Sequence, residues 1–133
     1  MEEKKAKILV VDDEPEMVAI LKHFLQLKGY EAIGALSGEE ALRILEREGV
    51  DLVLLDIMMP GIKGTEIAKT IREKYPASKI IVVSGYSNEI EKLSKDSPLE
   101  GAFVKPINVG ELYDKLIETC KKEPPPLRNA KLD

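Results

Sequence analysis

Five side chains in this 133-residue chain could do chemistry together if the fold made them neighbours: Asp12, Asp13, Asp56, Ser84 and Lys105. They follow four short apolar runs: Asp12-Asp13 after Ile8-Leu9-Val10-Val11, Asp56 after Leu52-Val53-Leu54-Leu55, Ser84 after Ile80-Ile81-Val82-Val83 and Lys105 after Ala102-Phe103-Val104. Three carboxylates held close repel one another, so they need a positive partner or must take up protons. A hard divalent cation answers that need. Mg2+ favours octahedral oxygen ligation and keeps several waters, which suits a site with two or three carboxylates. Ca2+ prefers about 6–8 oxygens, and no loop here supplies them. Zinc lacks its usual ligands, because His23 and Cys120 are the only histidine and cysteine and lie far apart in sequence. Lys105 adds a second cation. A metal and a lysine facing one carboxylate, with the Ser84 hydroxyl nearby, make a cradle for a phosphoryl group.

Each piece alone has an ordinary explanation. Asp12-Asp13 could cap a helix, Asp56 and Lys105-Pro106 could be turn residues, and Ser84-Gly85-Tyr86-Ser87 could be a loop with a cap at Ser87. The signal is that all four pieces follow strand-like runs. Those runs are short and mostly rich in Val and Ile, and three are apolar without alternation, the pattern of strands covered on both faces. The runs at 31–35 and 102–104 are weaker and read as strands nearer an edge.

Helical patterns fill the gaps. From 15 to 28, Val18, Leu21, Phe24 and Leu25 follow helical spacing, and Pro15 suits a first turn. Ser37-Gly38-Glu39-Glu40 reads as a capping box before a helix with Ala41, Leu42 and Leu45 inward. A third helix is expected over 64–74, with Ile67 and Ile71 inward, stopping before Tyr75-Pro76. A short fourth is expected over 88–94. The last should run 109–122, capped by Asn108, with Leu112, Leu116, Ile117 and Cys120 on one face. Five βα units in succession predict an α/β fold: a five-stranded parallel sheet with helices on both faces. In such sheets ligands bind at the carboxyl ends of the strands, where the five side chains fall.

Composition bounds the rest. The length allows one domain, and 44% apolar with 33% charged residues describes a globular chain. No apolar run approaches the roughly 20 residues of a membrane span, and the opening residues do not read as a signal peptide. One cysteine forms no internal disulfide and fits a cytoplasmic setting. A net charge of −4 with 5% aromatics argues against a nucleic-acid surface. Residues 123–133, with Pro124-Pro125-Pro126, read as a flexible Pro-rich tail or a truncated linker, which leaves 1–122 as the folded domain. His23 lies off the apolar face of its helix and reads as solvent-facing.

The segments Ile8-Leu9-Val10-Val11-Asp12-Asp13-Glu14-Pro15, Asp51-Leu52-Val53-Leu54-Leu55-Asp56-Ile57-Met58-Met59-Pro60-Gly61, Ile81-Val82-Val83-Ser84-Gly85-Tyr86 and Phe103-Val104-Lys105-Pro106 together resemble response-regulator receiver domains of two-component signalling. The likeness covers about 7–122. It implies a flavodoxin-like (βα)5 fold with strand order 2-1-3-4-5. It implies that Asp56 accepts a phosphoryl group from a sensor histidine kinase or a histidine phosphotransfer protein. Asp13 and Asp56 would bind Mg2+ directly, Asp12 directly or through water, and the Met58 carbonyl would be a further ligand. Ser84 would be the switch hydroxyl, and Lys105, in a cis peptide with Pro106, would pair with the phosphoryl group. The response would bias a surface around the 88–94 helix, the last strand and the last helix. An unidentified downstream protein or output domain would read that surface, with the chain a monomer or a phosphorylation-dependent dimer. No external substrate would be turned over.

Two positions qualify the likeness. Receivers usually carry Tyr or Phe three residues before the lysine, and here that residue is Ala102, with Phe103 on the opposite strand face by alternation. Met58 and Tyr86 lie two residues after Asp56 and Ser84, where bulk without a base predicts slow self-dephosphorylation. Two other readings compete: a Mg2+-dependent phosphatase with an Asp nucleophile, and a binding surface that is never phosphorylated. Met58 stands where the phosphatase would have its second Asp, and the chain has no room for a capping insertion.

Overall fold

The computed structural model describes residues 6–59, 61, 63–85, 90–91 and 99–120. Its strands are β1 (Lys7–Val11), β2 (Glu31–Ala35), β3 (Leu52–Asp56), β4 (Lys79–Ser84) and β5 (Gly101–Val104). The helices are α1 (Pro15–Leu27), α2 (Gly38–Arg47), α3 (Gly64–Lys74) and, last, α4 (Val109–Thr119). All strand pairs are parallel, in the order β2-β1-β3-β4-β5. The two weaker runs form the two edges, and the unbroken apolar runs fill the centre.

The register explains the lack of alternation. Leu9, Val53 and Ile80 lie side by side facing one layer, while Val10, Leu54 and Ile81 face the other. The first layer is closed by Ala41, Ile44 and Leu45 of α2 and Ile67, Ala68 and Ile71 of α3. The second is closed by Val18, Leu21 and Leu25 of α1 and Leu112 and Leu116 of α4. Truncating a buried leucine or isoleucine in either layer costs about 2–5 kcal/mol.

Local signals set the helix ends. Pro15 opens α1, and Gly29 (φ 95°) supplies the left-handed turn that ends it. Ser37 Oγ accepts from the Glu40 N–H at 3.1 Å, and Glu40 Oε1 accepts from the Leu36 N–H at 2.8 Å. The capping box thus closes one residue earlier than its usual form. Asn108 Oδ1 accepts from the Glu111 N–H at 3.0 Å, capping α4.

One expected inward residue faces out: Ile117 is 47% exposed. At about 100° per residue, Leu112, Leu116 and Cys120 form the strip that meets the sheet, and Ile117 falls beyond its edge. His23 is exposed, as its position off the apolar face predicts. Phe103 packs with the layer under α1 and α4 while Ala102 is exposed, so the strand alternates as expected. Ile90 and Glu91 are helical, and the rest of the helix expected at 88–94, the tail at 123–133 and Tyr86 lie outside the described residues. No helix among the described residues is long and apolar enough to cross a membrane.

Candidate functional site

The strand ends converge as a doubly covered parallel sheet requires. The Asp12 N–H donates to the Ala35 carbonyl at 3.1 Å, which holds the residue beyond β1 against β2. Asp56 ends β3 opposite Val83, and the next N–H, of Ile57, donates to the Val83 carbonyl at 3.1 Å. The Lys105 N–H donates to the Ser84 carbonyl at 2.8 Å, which carries the β4–β5 pairing one residue past the strand. The Lys105-Pro106 peptide is cis.

These anchors bring Asp12, Asp13, Asp56 and Lys105 into one pocket. Lys105 Nζ donates to Asp56 Oδ2 at 3.0 Å and to Asp12 Oδ2 at 3.3 Å. One carboxylate oxygen from each of Asp12, Asp13 and Asp56 lies within 4.8 Å of the others. Asp12 and Asp56 are each only 4% exposed, whereas Asp13 is exposed and opens the cluster to solvent. Ser84 is buried at the same rim by the register of β4, next to Val104. The Met58 side chain is 46% exposed.

Backbone donors aim the two buried carboxylates. Met58 N–H donates to Asp56 Oδ1 at 3.0 Å, and Glu14 N–H donates to Asp12 Oδ1 at 3.0 Å. Both bonds run from residue i+2 to the Asp side chain, as in an Asx turn. This aiming was not read from the sequence, although an Asp at the end of a strand and the start of a turn carries that signal. Each carboxylate therefore turns Oδ2 to the lysine and Oδ1 to its own turn.

Burial alone would lower the Lys105 pKa, but its hydrogen bond to Asp56 and the charges of Asp56 and Asp12 outweigh burial and raise it above the ordinary lysine value. The ammonium is fixed, yet one positive charge faces three carboxylates. The deficit equals the charge of one divalent ion. The donor set is all oxygen, which suits Mg2+ and excludes the soft-ligand metals. Oxygens ligating one Mg2+ at about 2.0–2.1 Å lie at most about 4.2 Å apart, so small side-chain rotations bring the trio into range. The exposed position of Asp13 leaves room for the waters that Mg2+ retains.

The comparisons agree with this geometry. Residues 8–117 match the response regulator receiver domain model. The chain is 43% identical to the response regulator TrrA of Thermotoga maritima, solved in complex with Mg(2+)-BeF, over 86% of this chain and 98% of that one, with a TM-score of 0.78. It is 31% identical to a CheY-like receiver domain protein of Methanospirillum hungatei, over 90% of this chain and 97% of that one, with a TM-score of 0.84. It is 40% identical over 87 residues to PhoP, the alkaline phosphatase synthesis transcriptional regulatory protein of Bacillus subtilis. That match covers 65% of this chain and 36% of PhoP, about a third of the longer protein. A parallel sheet in this strand order, an acidic trio fit for Mg2+ with a lysine across it, and a family match over most of its length place this chain in the response regulator receiver domain family of two-component systems.

Proposed function

We propose that this chain accepts a phosphoryl group on Asp56 from a phosphohistidine, carried by a sensor histidine kinase or a histidine phosphotransfer protein. The observation that carries the reading is the Lys105 ammonium bridging Asp56 and Asp12 at 3.0 and 3.3 Å, inside a trio of carboxylates short of positive charge. Asp12, Asp13 and Asp56, with the Met58 carbonyl, would hold Mg2+. Bound there, the ion supplies neutralising charge for the transferring phosphoryl oxygens and orients them.

The chain's own groups do the rest. One Asp56 oxygen forms the new P–O bond while the P–N bond of the donor breaks and the ring nitrogen keeps the electron pair. The Asp56 carboxylate is already oriented by the Met58 N–H, so little orientational entropy remains to be lost at the moment of transfer. Lys105 exchanges its carboxylate partner for a phosphoryl oxygen, and the Ser84 hydroxyl donates to another. Both residues sit where β4 and β5 end, so their shift is felt along the β5 rim. With Ala102 in place of the usual aromatic residue, the shift runs through backbone and Lys105 rather than an inward-swinging ring. A downstream protein or output domain reads the change, with the chain as a monomer or as a dimer formed on phosphorylation. The folded unit is 1–122, the segment 123–133 is a tail or linker, and the setting is cytoplasmic.

The test is incubation with phosphoramidate and Mg2+ followed by intact mass measurement. One added phosphate on the wild type, and none on Asp56→Asn, is the expected result. Continuous release of phosphate from an external ester would instead make the chain a phosphatase. An unchanged wild-type mass would leave only a binding surface.

A further inference from the structure

We propose that Gly64 is a positioning residue for the phosphoacceptor segment. It rests on the assignment of Asp56 as that acceptor. Gly64 is buried at the first position of α3, and a Cβ built there would lie 2.2 Å from Ile57 Cα and 2.8 Å from its carbonyl carbon. Real Cβ atoms do not approach backbone so closely, and backbone cannot swing aside as a side-chain tip can.

Neither side of this contact has room to yield. Ile57 is also held by its own N–H bond to the Val83 carbonyl at 3.1 Å, and the residue is only 6% exposed. On the α3 side, Ile67, Ala68 and Ile71 are fully buried against the sheet. The helix start at Gly64 and the β4 carbonyl of Val83 therefore both fix Ile57, forming the clamp. The residues flanking that clamp are Asp56 and Met58, joined by the N–H to Oδ1 bond of 3.0 Å that orients the carboxylate. Any side chain at 64 displaces Ile57, and the displacement passes to the Asp56 carboxylate on one side and the Met58 carbonyl on the other.

The test compares Gly64→Ala with Ile71→Ala, which removes buried volume about two turns further along the same helix, away from the Gly64–Ile57 backbone contact, and lowers stability. Amide exchange at Met58, followed by NMR in metal-free protein, reads the orienting bond directly. Gly64→Ala should speed that exchange selectively, raise the Mg2+ dissociation constant measured by calorimetry, and slow phosphate uptake from phosphoramidate by about 10²-fold, the scale of an ångström-level misplacement. Ile71→Ala should lose melting temperature and keep all three readings. A folded Gly64→Ala chain with wild-type Met58 exchange overturns the proposal. So does a Gly64→Ala chain that stays unfolded in trimethylamine oxide, which favours compact states, because the glycine would then serve the whole fold and not the segment. If the wild type and Ile71→Ala also take up no phosphate, the phosphoacceptor reading fails, and the exchange result alone decides the clamp.

Discussion

The two rims of the sheet carry nearly the same charges and have different chemistry. At the amino-terminal rim, Lys7 Nζ faces Glu48 at 3.0 Å and Glu31 at 3.8 Å, while Asp51 accepts the Lys7 N–H at 2.7 Å. At the carboxyl-terminal rim, Lys105 faces Asp56 and Asp12, with Asp13 beside them. Each is one lysine among three carboxylates. The Glu31 and Glu48 side chains are 54% and 37% exposed on long flexible stems, whereas those of Asp12 and Asp56 are 5% and 4% exposed. Asp12 and Asp56, short, buried and aimed by backbone donors, cannot relax away from one another as the two glutamates can. A charge inventory does not make a site; burial and fixed aim do.

The largest expected contrast is between the two lysines. Lys105→Met should slow phosphate uptake by about 10²–10³-fold, the range seen when one preorganised electrostatic partner of a transition state is removed. The same change should tighten Mg2+ binding, because the trio then faces the ion with no competing ammonium. Calorimetry with MgCl2 and mass-detected phosphate uptake read the two effects separately. If both parameters move in the same direction, Lys105 acts by holding the pocket's shape.

A second contrast concerns access of water to the acyl phosphate proposed at Asp56. Met58 stands half exposed beside the carboxylate and offers its side chain no acid or base. Met58→Asn places a group there that can orient water, and a hydrogen bond of about 1–1.5 kcal/mol corresponds to roughly five- to tenfold in rate. The phosphoryl half-life, followed by intact mass after removal of the donor, should shorten by that factor. An unchanged half-life would remove Met58 as a shield.

How much of this contrast could be read beforehand depends on where each partner lies in the chain. The carboxyl-terminal rim is legible because its residues follow apolar runs, so strand ends and site residues are marked by the same local signal. The central strands are legible from their unbroken Val, Ile and Leu, and the edges from weaker runs at 31–35 and 102–104. Ile117 misleads because a stripe of apolar residues at a chain's last helix does not say how wide its contact with the sheet is. The amino-terminal rim is silent. Lys7 meets Glu48 across 41 positions, and Arg72 meets Glu100 across 28 at 2.8 Å, spacings that no local pattern marks. Gly64 is silent too, since a glycine at a helix start looks like turn chemistry until the distance to Ile57 is known.

Alkaline pH should act on both rims and on the α1–α4 layer. Lys7 and Lys105 both have raised pKa values, Lys7 chiefly through its hydrogen bond to Glu48, and Lys105 against the lowering effect of burial through Asp56 and Asp12. Tyr30, pushed up from 10.0 to about 12 mainly by burial, adds a neutral phenol that resists ionisation. A raised folded-state pKa gives stability that is full below the unfolded value and fades as pH climbs through the folded one. Melting temperature should therefore hold to about pH 10 and fall toward pH 12. In Tyr30→Phe the fall should be shallower, and tyrosinate absorbance should lose its latest-titrating component. An identical slope in that variant would assign the alkaline loss to the lysines.

The smallest effect belongs to Lys7, and its smallness is what the comparison of rims requires. Lys7→Met removes a cation from Glu31 and Glu48, yet both carboxylates reach solvent and can be hydrated in its place. The hydrogen bonds that tie this rim together, from the Lys7 N–H to the Asp51 carboxylate at 2.7 Å and from the Asp51 N–H to the Lys7 carbonyl at 2.8 Å, do not involve the ammonium and survive the substitution. Melting temperature should fall slightly at low salt, and the difference from wild type should shrink as ionic strength rises and screens the exposed pair. Mg2+ affinity and phosphate uptake should match wild type, because the affected charges sit at the opposite end of the strands from the acidic trio. A Lys7→Met chain with altered Mg2+ affinity would mean that the two rims share one electrostatic field. The chemistry would then belong to the sheet as a whole and not to the buried pocket at one end of it.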